Sequence, residues 1–310
     1  MYTRSSRLGR YVPYILISCG ILAFALGMLG VSAFRMRKLV VRPSDALFSA
    51  RRSAIRALPR TMLWAWERPE DLNFIVPRET GVAFLAETIN IIKIDPDGPS
   101  SHSRGALRFV VVPRRQPLRV SKGTSLVAVA RIEMRSARLN KLKIRSAADS
   151  DSVATPEETD ASAIASEIAR LAELPGVLAI QIDFDATVSQ REFYAAILRE
   201  LRQKIPNEMP ISITALASWC FGDAWLDALP VDEAVPMLFR MGVDDRNIRS
   251  RLARGEDFIS PVCRTSEGIS TDETAPEFSG VGISGRRIYL FHPRPWTAAA
   301  FHDAAKGAGQ

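Results

Sequence analysis

Gly176-Val177-Leu178-Ala179-Ile180-Gln181-Ile182-Asp183-Phe184-Asp185-Ala186 is the stretch whose reading decides the fold. It begins as an apolar run, as a strand buried on both faces does. It ends with two carboxylates two residues apart. Alternate residues of a strand share a face, so Gln181, Asp183 and Asp185 point one way and Ile180, Ile182 and Phe184 the other. Like charges at the mouth of a buried strand are unfavourable unless they are solvated, partnered or held for chemistry. Residues 189–204 then read as a helix and Ile211-Ser212-Ile213-Thr214-Ala215-Leu216 as a second strand. Strand, polar tip, helix, strand is a βαβ unit, and α/β folds place their sites at the carboxyl ends of such strands.

The same reading extended along the chain predicts strands at 62–67, 82–86, 126–133, 235–241, 268–271 and 287–291. Helices are expected over 161–174, 223–229, 247–254 and 297–306, the first with a stripe at Ile164, Ile168 and Leu171. Residues 107–112 and 117–120 read as an extra hairpin turning at Pro113-Arg114-Arg115-Gln116, and residues 147–160 as a polar loop. Eight strands with intervening helices over roughly 250 residues is the size of a (β/α)8 TIM-like barrel. The second unit is irregular, so the expected barrel is distorted there. A doubly wound open sheet is the alternative.

The expected domain organisation is a basic tail over 1–10, an uncharged apolar span over 11–34, a basic linker over 35–59 and a barrel over 60–310. The span is long enough to cross a bilayer as a transmembrane helix or signal anchor. Arg4, Arg7 and Arg10 precede it, as in a signal-peptide n-region. Val31-Ser32-Ala33 fits a cleavage pattern, and Leu16-Ile17-Ser18-Cys19 matches a lipoprotein box by letters, although the apolar run continues past Cys19. Arg35, Arg37, Lys38 and Arg42 follow the span and pull towards a cytoplasmic domain. The preferred reading is a single-pass protein of the bacterial inner membrane with a periplasmic domain. The formal charge of +7 comes largely from this flank, which suits anionic headgroups better than nucleic acid, since no aromatic interleaving accompanies it. Of the three cysteines, Cys220 and Cys263 either pair in an oxidising compartment or stay as separate buried thiols.

QIDFDA at 181–186 resembles the fourth-strand signature of chitinase-like glycoside hydrolases, in which three acidic residues alternate along one face. Gln181 falls on the first acidic position, Asp183 on the second and Asp185 on the third, where that family has a glutamate as general acid. The longer phrases WAWERPED (64–71), SITALASWC (212–220), VDEAVPMLFRMG (231–242) and RRIYLFHPRPW (286–296) resemble a bacterial family known only as a domain of unknown function. The first resemblance implies acid–base hydrolysis of a glycan; the second brings no reaction.

On a barrel the strand ends converge, bringing together Glu67, Glu87, Glu133, Asp183, Asp185, Trp219, Arg240, Asp272, Glu273 and His292. Sugar sites need such carboxylates, and indoles that stack on pyranose faces. The catalytic candidates are Asp185 as general acid, Asp183 orienting it or opposing its ionisation, and Glu67, Glu133 or Glu273 as second carboxylate. Trp66, Gln181, Trp219, Arg240, Asp272 and Glu273 are the substrate-binding candidates. Structural roles compete with each of these: Trp64 and Trp66 as core, Asp183 as a cap for loop amides. Three scattered histidines give no HxH or HExxH spacing, so no metal or other cofactor is expected. There is no GxSxG elbow, and SGVGISG at 279–285 lacks the strand-to-helix context of a phosphate loop. Two functions remain: a membrane-tethered glycoside-hydrolase-like enzyme acting on an envelope polysaccharide, or a catalytically silent barrel that binds glycan or an envelope partner.

Overall fold

The computed structural model describes residues 43–95, 106–138, 158–222, 224–274 and 286–307. The chain divides into two compact units, Met1–Ala46 and Leu47–Gln310, and the architecture below is that of the second. No helix among the described residues is long and apolar enough to cross a membrane; the apolar span at 11–34 lies outside them.

Eight parallel strands close on themselves: β1 (Thr61–Ala65), β3 (Thr80–Asp95), β6 (Leu126–Arg138), β7 (Val177–Asp183), β8 (Ile211–Leu216), β9 (Glu233–Met237), β10 (Ser266–Ser270) and β11 (Arg287–Phe291). Closure is made by β1, which pairs with β11 on one side and β3 on the other. The fold is therefore a closed α/β barrel and not an open doubly wound sheet. Helices α2 (Glu158–Ala169), α3 (Arg191–Lys204), α4 (Asp245–Ala253) and α5 (Ala298–Gly307) follow β6, β7, β9 and β11. Ile180, Ile182 and Phe184 are buried in the layer between strands and helices with Ile164, Ile168, Ile197 and Leu198. The inner core is smaller, with Trp64, Leu85, Val129, Val235, Tyr289 and Phe291 at its centre. β10 contributes Gly268 to it, because a Cβ there would meet Met237 Sδ at 2.8 Å and Phe291 Cε2 at 3.2 Å.

The stretch from β3 to β6 departs from barrel regularity. The strand at 106–113 (β4, Ala106–Pro113) is not one half of a hairpin with 117–120. It pairs antiparallel with β3, while β5 (Leu118–Arg119) pairs parallel with β2 (Glu70–Asp71). Apolar alternation made both segments visible, but partner choice depends on long-range packing that local pattern does not carry. A bulge at Ala86, between the Leu85 and Glu87 pairings, restores side-chain phase as β3 leaves the barrel.

Where the sequence suggests a linker up to residue 59, residues 43–57 form helix α1 (Pro43–Ala57). Ile55 and Leu58 join the inner core at the amino-terminal end of the strands. Arg51 Nε bonds Asp232 Oδ1 at 2.9 Å. Basic composition hid this because one apolar turn is enough to plug the barrel. Cys220 and Cys263 are disulfide-bonded, joining the loop after β8 to the segment before β10.

Glu87 sits just past the bulge, on the helix-facing side of β3, and is 8% exposed. Its Oε1 has no hydrogen-bond partner among the described residues. Burial, reinforced by Glu167 and opposed by Arg170, pushes its carboxyl from 4.5 up to about 7. The folded state thus holds a proton that the unfolded chain has lost, and stability falls as pH rises between about 4.5 and 7. The cost is at most about 3 kcal/mol. Glu87→Gln should therefore raise the denaturation midpoint at pH 8 and leave it nearly unchanged at pH 4. Equal shifts at both pH values would refute this account.

Candidate functional site

The inward alternation of β7 carries Asp183 to the mouth at the carboxyl end of the barrel, and Asp185 follows in the loop. Together with Arg131, Glu133, Arg135, Thr187 and Gln190 they line a cleft of about 300 Å³. Asp183 is half-buried. Its Oδ1 accepts from Thr214 Oγ1 at 2.8 Å, and its Oδ2 lies 3.7 Å from Arg131 Nη1. Burial raises its pKa above the ordinary aspartate value; Arg131 and Thr214 pull it back, and the Asp185 and Glu133 charges add to the rise. Asp185 is exposed.

Arg131 organises the cleft. Besides Asp183 it reaches Glu133 Oε1, 3.3 Å from its Nε, and its guanidinium lies 5.7 Å from the centroid of the Trp66 ring. Glu133 Oε2 also accepts from Arg135 Nη2 at 2.9 Å. Below, half-buried Trp66 and Phe239 pack against Phe291, with centroids 6.2 and 4.9 Å away. The result is an acidic cleft bridged by one arginine, whose guanidinium also faces the Trp66 ring.

Of the predicted site residues only Asp183, Asp185 and Glu133 line it. Glu67 follows inward-facing Trp66 and so points outward. Its Oε1 accepts from the backbone amides of Arg115 (2.8 Å) and Gln116 (3.2 Å), which fixes the turn after β4. Arg114 completes that clamp by donating to the carbonyls of Trp66 and Arg68. Gln181 does face inward, but one layer below the mouth: it is fully buried and donates to Ser212 Oγ at 2.9 Å. Trp219 is 3% exposed, edge-to-face with Trp225 and beneath Arg191. It packs the loop after β8 and offers no stacking face. Glu87, on the outer side of β3, is likewise outside the cleft.

Arg240, Asp272 and Glu273 gather on the opposite side, over β9 and β10. Arg240 has φ 51°, a left-handed conformation costing about 1–3 kcal/mol. Its backbone N–H donates to Glu273 Oε2 at 3.1 Å, and its Nη2 lies 3.6 Å from Asp272 Oδ2. The Ser270 hydroxyl donates to Asp272 and holds its carboxyl below the ordinary value. Arg240 and Glu273 line a second depression of about 510 Å³. His292 shares a hydrogen bond with the Thr271 hydroxyl, and burial lowers its pKa.

Arg131 and Thr214 were missed from sequence. The alternation that singles out Asp183 and Asp185 also aligns Arg131, Glu133 and Arg135 on β6, and Thr214 follows Ser212 at the same spacing on β8. Among the described residues no cluster of metal-ligating side chains forms.

Fold and site define an α/β barrel with an acidic, arginine-bridged cleft at the carboxyl end of its strands. Residues 122–235 match the family model described as a domain of unknown function, DUF3142. That stretch runs from the turn before β6 into β9 and contains Arg131, Glu133, Asp183, Asp185 and Thr214. No curated protein and no solved structure matches the chain.

Proposed function

We propose that the barrel mouth binds a polysaccharide of the cell envelope and cleaves it by acid–base hydrolysis, in the manner of the chitinase-like glycosidases that QIDFDA resembles. The observation that carries this reading is the cleft itself: Asp183, Asp185 and Glu133 gathered with Arg131, whose guanidinium lies 5.7 Å from the Trp66 ring centroid. Asp185 is solvent-facing and free to deliver a proton to a leaving oxygen. Asp183 is held by Thr214 and Arg131 beside it, and Trp66 offers part of an indole for stacking. The 11–34 span would tether the protein, and the Cys220–Cys263 bond suits an oxidising, exported setting.

A second reading is non-catalytic glycan binding in the same cleft. One observation favours it: Glu133, the remaining carboxylate, is engaged by two guanidinium groups, which restrains it as a nucleophile or base. Incubating the full-length chain in detergent with a panel of envelope oligosaccharides, and reading both retention and new reducing ends, separates the two. Retention with cleavage supports the enzyme, and retention alone supports the binder. A panel with neither result sinks both.

A further inference from the structure

β3 and β6 do not stop where the barrel does. β1 leaves β3 at Ala65↔Phe84 and β7 leaves β6 at Asp183↔Arg131, yet β3 and β6 stay paired to Asp95↔Arg138, with β4 added on the far side of β3. Residues 88–95 thus carry a three-stranded sheet roughly 25 Å past the mouth. Its two faces differ. Ile89, Ile91 and Ile132 on the outer face are buried in the core that includes α2. The inner face borders the cleft, which takes Arg131, Glu133 and Arg135 from it and Ile132 and Met134 from the other face of β6. The register places Thr88 and Asn90 beside Arg131 and Glu133, and Val112, Val110 and Arg108 beyond them. Val110 and Val112 are 56% and 39% exposed, and Arg108 is exposed as well.

Three guanidinium groups, of Arg108, Arg131 and Arg135, stand on this face; Glu133 pairs with Arg131 and Arg135, and Arg131 also faces Asp183 at the cleft end, so the cationic excess lies towards Arg108. The face is partly apolar between its charges, exposed at Arg108, Val110 and Val112, and borders the cleft. We propose that it is a platform for an acidic polysaccharide, a chain bearing carboxylates along its length that lies on β6 and β4 and feeds into the mouth. Arg108 and Arg135 meet its acid groups, while Val110 and Val112 meet the C–H faces of its rings. This deepens the reading of the cleft as a glycan site, and rests on it for the direction in which the chain runs.

The test is affinity electrophoresis of the full-length chain in detergent, through gels carrying polygalacturonate or its fully methyl-esterified, neutral form. Retardation is expected with the acidic polymer and should weaken as salt rises. Arg108→Gln and Arg135→Gln should each lower the apparent affinity about fivefold, the value of an exposed charge contact near 1 kcal/mol. Affinity should also keep rising with oligomer length beyond what the cleft alone can hold. No retardation, equal retardation by the esterified polymer, or affinity unchanged in the double Arg variant would overturn the platform. Trp66→Ala and Asp183→Asn report on the mouth separately. If they change nothing while the Arg variants abolish retention, the platform stands and the mouth is not a sugar site. If the mouth binds neutral oligosaccharides and the Arg variants are silent, the platform falls and the glycan reading survives.

Discussion

Asp185→Asn is expected to lower glycan hydrolysis by about 10²–10⁴-fold, the usual worth of a positioned general acid, with the melting temperature unchanged. The side chain is exposed and no packing depends on it. The amide keeps its size but has no acidic proton to give. Asp183→Asn should also slow turnover, by a different route. It keeps an acceptor for Thr214, removes the charge facing Arg131, and leaves that guanidinium to Glu133 alone. Burial raises the Asp183 pKa, so in the proposed hydrolase its ionisation would fall on the acid limb of the rate profile. That limb should flatten in Asp183→Asn. A purely structural Asp183 would lower the melting temperature and leave the shape of the profile intact. If Asp185→Asn retained full activity, the proton donor would lie elsewhere and the comparison with chitinase-like enzymes would fail.

Much of the barrel was legible because its strands are buried on both faces, so each announces itself as an apolar run with a polar tip. The inward direction of Gln181 and Asp183 follows from period two and one fact, that Ile180 and Ile182 must lie under helices. Depth along the barrel axis does not follow from period two. Gln181 and Asp183 share a face, yet one is sealed in the interior and the other reaches the mouth. Glu67 shows a related limit: it follows β1 closely, as Asp185 follows β7, but the phase of the chain there sends it to the turn after β4, whose amides it caps. Trp219 was misjudged because an indole at a strand end serves packing as well as stacking, and only the Trp225 and Arg191 contacts decide between them. Alternation aligns Arg131 with Glu133, but its pairing with Asp183, 52 positions on, is a tertiary property that local pattern does not carry.

Glu233→Ala is expected to destabilise the barrel by about 3–5 kcal/mol, the cost of breaking a buried ion pair from one side. Against a total stability of roughly 5–15 kcal/mol this approaches unfolding. Glu233 is fully buried and Arg287 is 5% exposed. Arg287 Nη1 donates to Glu233 Oε1 at 2.6 Å, and Tyr289 OH and Ser212 Oγ both donate to Oε2 at 2.9 Å. The remaining donors of Arg287 hold the carbonyls of Pro59 and Ile55, so the pair also ties α1 into the base of the barrel. Removing the carboxylate strands a cation in the interior and orphans two hydroxyls at once. Replacing both partners differs in kind. Glu233→Leu with Arg287→Met deletes the charge together with its counter-charge, and such exchanges are often neutral or stabilising. The double variant should therefore recover part of the loss in a denaturant titration, since the Tyr289 and Ser212 hydroxyls still lack their acceptor, and give a favourable coupling in the double-mutant cycle. Backbone amides of α1 should nonetheless exchange faster in it, because the carbonyl clamp is gone. A single variant that cost less than about 1 kcal/mol would mean that water or a rearranged acceptor reaches Arg287, and that the interior is not sealed at this layer.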